Sequence, residues 1–253
     1  MVQLSVNLNK VALIRNSRGH DYPNLVKVAK DCIKFGADGI TLHPRPDERH
    51  TRYQDIYDLK EALDVELNVE GYPSERFLSM IEATKPAQCT LVPDPPDAIT
   101  SNAGWDTLKH EAMLRDIITR LKSWGIRSSI FIETKPNLIE KAKEIGTDRI
   151  ELYTEAYAKA FAAGDKSAVK PYAESARVAQ DLGLGINAGH DLNLDNLAYL
   201  VEQLPALHEV SIGHALVSDA LYLGLRDTIR LYQECLGKVN SRYRAISGQT
   251  SGF

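Results

Sequence analysis

Short apolar runs alternate along the whole chain with longer stretches in which apolar positions recur every three to four residues. The short runs are Leu4–Leu8, Gly39–His43, Leu67–Glu70, Thr90–Pro93, Ser128–Ile132, Arg149–Tyr153, Gly185–Asn187 and Glu209–Gly213. They lack the apolar–polar alternation of a strand with one wet face, so they predict strands covered on both sides. Leu25, Val28, Ala29, Cys32 and Ile33 have the spacing of one helix face. Strands alternating with helices imply parallel pairing through right-handed crossovers. Eight such units without a Gly-x-Gly-x-x-Gly fingerprint favour a closed (β/α)8 TIM barrel with additional helices over a doubly wound open sheet.

Glycines just past predicted helix ends, at Phe35-Gly36, Trp124-Gly125, Ile145-Gly146 and Leu182-Gly183, punctuate the repeated αβ turns. Two intervals are too long for one loop and one helix. Between Pro93 and Ser128, the stretch Leu108–Ser123 fits a helix, so the Pro/Asp/Asn-rich Asp94–Asp106 reads as a functional loop. Between Thr154 and Leu182, an extra helix over Glu155–Gly164 precedes Ala168–Asp181. Residues 1–240 form one expected domain, and the polar 241–253 a flexible tail.

With 43% hydrophobic residues among 253, the chain has ample material for one large core. A net charge of −4 argues against a polyanion-binding surface, so no nucleic-acid partner is expected. The three cysteines, Cys32, Cys89 and Cys235, form no Cys-x-x-Cys pair, which points to neither a disulfide framework nor a zinc site; reduced thiols fit a cytoplasmic protein. No stretch is long and apolar enough to predict a membrane span, and no signal peptide is expected.

Chemistry gathers at the strand ends. His43, His50, His190 and His214 sit at or just past them, and the C-terminal ends of the strands carry the active site of a barrel. His43 can move a proton near neutral pH, and Arg45, Arg49 and His50 after it suit an anionic group; a charged surface loop is the alternative. Glu70 ends its strand as a candidate base or a rim ion pair. Glu151 points into the barrel if Ile150 and Leu152 point outward, either toward polar intermediates or toward a buried arginine. His190 and His214 follow the seventh and eighth strands, beside Gly189 and Gly213, where this fold commonly binds phosphate; either alone could be a structural histidine. Zinc would want closely set ligands, and the first strand ends in Asn7-Leu8-Asn9 rather than His-x-His. Lys10 and Lys135 follow strand ends without lying inside a strand, which disfavours a Schiff-base lysine.

Val6-Asn7 with Arg15-Asn-Ser-Arg18-Gly19, Gly36-Ala-Asp-Gly-Ile-Thr-Leu-His43 with Arg45 and Arg49-His50, Asn68-Val-Glu70, Thr84-Lys-Pro86, Leu91-Val-Pro93, Ile150-Glu151, Asn187-Ala-Gly-His190 and His208-Glu-Val-Ser-Ile-Gly-His214-Ala follow one another in this order. Over about residues 3–235 the set resembles the pyridoxine 5′-phosphate synthase family. The resemblance implies a (β/α)8 barrel with extra helices, assembly as an octamer of dimers, and no metal or organic cofactor. It implies condensation of 3-amino-2-oxopropyl phosphate with 1-deoxy-D-xylulose 5-phosphate to pyridoxine 5′-phosphate, phosphate and water. By the same resemblance, His43 and Glu70 accept protons, His190 donates one, and Glu151 stabilises a transition state. Asn7, Arg18, Asp191, Gly213 and His214 match positions that hold the aminoketone phosphate. Arg45, His50 and Thr100 match positions that hold the sugar phosphate, with Thr100 in a loop that closes over the site. The chain departs from the family at Asn9-Lys10, where Asp-His is common, and at Glu155, where glycine is common. The first change keeps a cation but offers a weaker acceptor to the sugar substrate. Two other functions remain open on the residues alone: a different phosphosugar barrel enzyme, such as a Schiff-base aldolase or an isomerase, and a non-catalytic binder of a phosphorylated metabolite. A binder has no need for a base and an acid on separate strands.

Overall fold

The computed structural model describes residues 1–93 and 103–237. The expected tail and most of the expected long loop, including Thr100, lie outside them. Strands β1 (Gln3–Asn7), β2 (Gly39–Leu42), β3 (Glu66–Gly71), β4 (Gln88–Leu91), β5 (Arg127–Ile132), β6 (Arg149–Tyr153), β7 (Gly185–Gly189) and β8 (Leu207–Ile212) are parallel and hydrogen-bonded in chain order, with β8 closing on β1. Around them lie α1 (Asn9–Asn16), α2 (Leu25–Lys34), α3 (Tyr53–Ala62), α4 (Glu75–Thr84), α5 (Glu111–Ser123), α6 (Pro136–Ile145), α7 (Glu155–Ala162), α8 (Lys170–Asp181), α9 (Leu197–Gln203), α10 (His214–Leu223) and α11 (Leu225–Cys235). The expected TIM barrel is the fold, and α7 is the extra helix expected before α8.

Strands β1, β3, β4, β5 and β8 start one or two residues earlier than the sequence predicts. Glu66 and Arg127 each open a strand, because their side chains meet at the N-terminal mouth of the barrel: Arg127 Nη2 lies 2.6 Å from Glu66 Oε2. Its Nε donates to Gln88 Oε1, the first residue of β4. Leu108 falls in a turn, where the Asp106 carboxylate accepts from the Lys109 N–H, and α5 starts at Glu111. Other helix ends follow ordinary capping chemistry. Asn24 caps α2 by accepting from Lys27 N at 2.8 Å, and Pro136 opens α6. Gly146 ends α6 at φ 100°, a left-handed geometry that costs glycine nothing.

Outward-facing Leu4, Val6, Ile40, Leu42, Ile130, Ile132, Ile150 and Leu152 are buried beneath the helices and form one continuous core with them. The barrel interior is different. Barrels of this kind are commonly filled by branched apolar side chains. Here Ser5, Thr41, Asn68 and Thr90 form a polar belt, with Ser5 and Thr41 hydroxyls 2.6 Å apart and Thr90 donating to Asn68 at 3.0 Å. Such a belt is tolerable only because its members satisfy one another. It forms a polar floor beneath the C-terminal mouth.

Candidate active site

A cavity of about 480 Å3 opens at the C-terminal mouth of the barrel. Asn7, His43, Arg45, His50, Glu70, Glu151, His190, Asp191, Gly213 and His214 all line it, as do Asn9, Lys10 and Arg49. Elements far apart in sequence deliver them, since every βα turn of a parallel barrel emerges at the same end. Arg18 is exposed and does not line this cavity, and Lys135 is an exposed residue paired with Glu133 at 2.6 Å, also outside it.

His43 follows β2 and is 7% exposed. Its backbone N–H donates to Asn9 Oδ1 at 2.9 Å, and the same oxygen accepts from Thr51 Oγ1 at 2.8 Å. Asn9 therefore ties the end of β2 to the far end of the 44–51 loop, a task for a carbonyl oxygen that needs no charge. Burial pushes the His43 imidazole down to about 3, helped by His50 and Arg45. His43 is thus neutral at pH 7. Its Nδ1 lies 4.0 Å from Glu70 Oε2, a base beside a carboxylate rather than an ion pair. His50 accepts from the Thr51 N–H through Nδ1, which puts the proton of its neutral form on Nε2. Burial and the neighbouring Arg45, Lys10 and Arg49 hold His50 down at about 4.

The loop carrying Arg45, Arg49 and His50 is fastened from below. Asn16 Nδ2 donates to the carbonyl of His50 at 2.7 Å, and Arg15 grips Asp55 of α3 with both guanidinium nitrogens at 2.6 and 2.9 Å. Arg49 is ion-paired with Asp47. Lys10 and Arg45 add cationic groups to the same side of the cavity.

Glu151 rises from the middle of β6, as the inward-pointing reading required, and is 2% exposed. No arginine pairs with it among the described residues; Arg149 turns instead to Asn187 and Glu209. Glu151 Oε2 has no hydrogen-bond partner among the described residues. Burial first, and Glu209 second, raise its carboxyl above the ordinary range. Gly189 makes room for it: a Cβ there would meet Glu151 Oε1 at 2.5 Å. At Gly213 a Cβ would meet Asn7 at 3.1 Å, so glycine lets the end of β8 close against β1, and α10 begins at the next residue. The free N–H groups of that ten-residue helix face an anion favourably.

His190 has φ 90° and Asp191 φ 58°, a backbone that L residues adopt at a cost. Thr154 supports it, donating through one hydroxyl to the carbonyls of Gly189 and His190. Asn196 Nδ2 holds the carbonyl of Asp191. Sequence reasoning missed Thr154, Phe131 and Ser211; the last two line the cavity from inward strand positions, Phe131 between the outward Ile130 and Ile132 and Ser211 two residues before Gly213, which a period-two reading of β5 and β8 would have exposed. Thr154 left no pattern at all, because its partners are backbone atoms of another strand. Among the described residues no group of three or more His, Cys, Asp or Glu is arranged to hold a metal ion.

The model of the family described as pyridoxal phosphate biosynthesis protein PdxJ matches residues 4–238. A protein of Porphyromonas gingivalis named pyridoxine 5′-phosphate synthase is 57% identical over 93% of this chain and 99% of its own length. One of Cytophaga hutchinsonii with the same name is 56% identical over 94% of this chain and 100% of its own. Among solved structures, a thiamine phosphate pyrophosphorylase from Pyrococcus furiosus superposes with a TM-score of 0.60 at 9% identity, covering 94% of this chain and 96% of its own. That likeness is one of fold alone.

Proposed function

The chain belongs to the family described as pyridoxal phosphate biosynthesis protein PdxJ, and from that premise we propose how its cavity performs the reaction of a pyridoxine 5′-phosphate synthase. The enzyme joins 3-amino-2-oxopropyl phosphate to 1-deoxy-D-xylulose 5-phosphate in the last step of de novo vitamin B6 synthesis. The amine of the first condenses with the ketone of the second; proton transfers then expel phosphate and water and close the pyridine ring. The observation that carries the reading is that one cavity holds a neutral His43 beside Glu70 on one wall and His190 and Glu151 on elements from the opposite half of the barrel. Repeated proton removal and delivery on one bound intermediate needs groups on different sides of it.

His43 and Glu70 act as proton acceptors and His190 as proton donor. A base held at about 3 is weak, but part of that depression comes from Arg45 and His50. A bound phosphate cancels cationic charge there, so His43 gains proton affinity when the substrate is seated. Arg45, His50 and Lys10 receive the sugar phosphate, with Thr100. Gly213, His214, Asn7 and Asp191 receive the aminoketone phosphate. Glu151, kept protonated by burial, donates a hydrogen bond to an oxygen that gains charge in the transition state. Arg18 joins the aminoketone site only if its turn moves or another copy of the chain supplies it. Exposed Leu13, Ile14, Leu221, Tyr222 and Leu223 on α1 and α10 support self-assembly, and the three free thiols support a cytoplasmic setting.

The test supplies both substrates to metal-stripped protein and follows pyridoxine 5′-phosphate and phosphate together. Equal amounts of the two are expected. Folded protein that releases phosphate without the pyridine product refutes the assignment, and borohydride trapping on Lys10 would transfer it to a Schiff-base aldolase.

A further inference from the structure

We propose that Tyr153 and Glu155 form a positioning arm that sets the ring of His190 in the cavity. A histidine that moves protons is ordinarily aimed by a hydrogen bond at its second ring nitrogen. His190 lacks one: Nδ1 is buried and has no hydrogen-bond partner among the described residues. The carboxylate of Asp191 lies 3.4 Å from it, a charge contact available only to the protonated ring. The side chain leaves a backbone at φ 90°, and no hydrogen bond at Nδ1 holds the ring that it carries.

What meets the ring is Tyr153. The two rings are edge-to-face, with centroids 5.0 Å apart and planes at 77°. Tyr153 is fixed on three sides. Its ring packs against Phe131 at 5.2 Å, its carbonyl accepts from Tyr172 Oη at 2.9 Å, and its own hydroxyl donates to the carboxylate of Glu155. Glu155 is the first residue of α7, where a negative charge is favoured by the helix N-terminus, and Lys159 one turn later pairs with its other oxygen. That ion pair is largely solvated on the lysine side and adds little. The tyrosine–glutamate bond is the element that decides where the phenol ring stands, and the ring decides where the imidazole stands.

The arm touches His190 and not the reacting atoms, so its signature is in kcat rather than KM. The inference rests on the reading of His190 as proton donor, and His190→Asn is the control for that. Misplacing a reacting group by about 1 Å costs up to roughly a hundredfold in rate. Steady-state kinetics of Tyr153→Phe and of Glu155→Ala are expected to show kcat lowered about tenfold with KM within about twofold. The double variant is expected to be no worse than either single one, because both remove one bond. Glu155→Gln, whose amide oxygen still accepts from the phenol, is expected to restore kcat. In histidine-labelled protein, the ring resonances of His190 should shift in Tyr153→Phe and Glu155→Ala and return in Glu155→Gln. A His190→Asn variant without activity, beside Tyr153→Phe and Glu155→Ala with unchanged kcat and unshifted His190 signals, overturns the arm alone. Full activity in His190→Asn overturns the donor assignment and the catalytic consequence of the arm with it. Equal, additive losses that Glu155→Gln does not repair would mark a general packing role and also overturn it.

Discussion

Arg15→Met tests what holds the 44–51 loop in place. Arg15 and Asp55 side chains are 4% and 9% exposed, and the guanidinium binds both carboxylate oxygens. Methionine keeps the stem of the side chain and removes the charge. Asp55 then keeps the Arg52 N–H, which donates to its Oδ2 at 2.7 Å. Breaking a buried pair from one side costs about 3–5 kcal/mol, because the other charge stays buried. For a chain of this size each kcal/mol lowers the melting temperature by about 2–4 °C, so a fall of roughly 6–20 °C is expected. The assay is thermal unfolding at fixed protein concentration, since self-association would shift the midpoint. Arg15→Met/Asp55→Leu removes the orphaned charge and should recover most of the loss, less about 1 kcal/mol for the lost bond at the start of α3. The pair also joins α1 to α3 on either side of the loop with Arg45 and His50, so KM for the sugar phosphate should rise in Arg15→Met. A melting temperature within about 2 °C of the parent, or a double variant no better than the single, would refute the reasoning.

Gly189→Ala drives a Cβ to 2.5 Å from Glu151 Oε1, so it should cost about 1–3 kcal/mol and lower kcat, and the stability cost should vanish in a Glu151→Ala background. His43 binds its proton more weakly folded than unfolded, so the stability it contributes is present above pH 6.5 and is lost as pH falls toward about 3. At pH 5 that loss is about 2 kcal/mol, and His43→Gln should show correspondingly less acid destabilisation in denaturant titrations at pH 5 and 7.5 while abolishing turnover. Glu151 runs the other way: its raised folded value makes stability fall as pH climbs out of the carboxylate range, so Glu151→Gln should be the more stable protein at pH 8 and flatten the profile.

The strand–helix alternation determined the barrel. Period and spacing are local properties, and right-handed crossovers leave few ways to arrange eight βα units. The glycine-marked helix ends and the inward aim of Glu151 were legible for the same reason, since each depends on residues a few positions away. The histidines could be assigned to one end of the barrel because parallel strands all finish there. Tertiary structure alone decided the rest. Charged Glu66 and Arg127 belong to strands only because each finds the other across the barrel mouth. Asn9 looked like a weakened acceptor in sequence, yet in the fold it latches His43 and Thr51 through one oxygen. The low proton affinity of His43 comes from burial and from His50 and Arg45 on its own loop, and the room for the Glu151 carboxyl from a glycine on the neighbouring strand. Burial, mutual charge and ring-to-ring contact depend on distances across the closed barrel, and a one-dimensional pattern carries none of those distances.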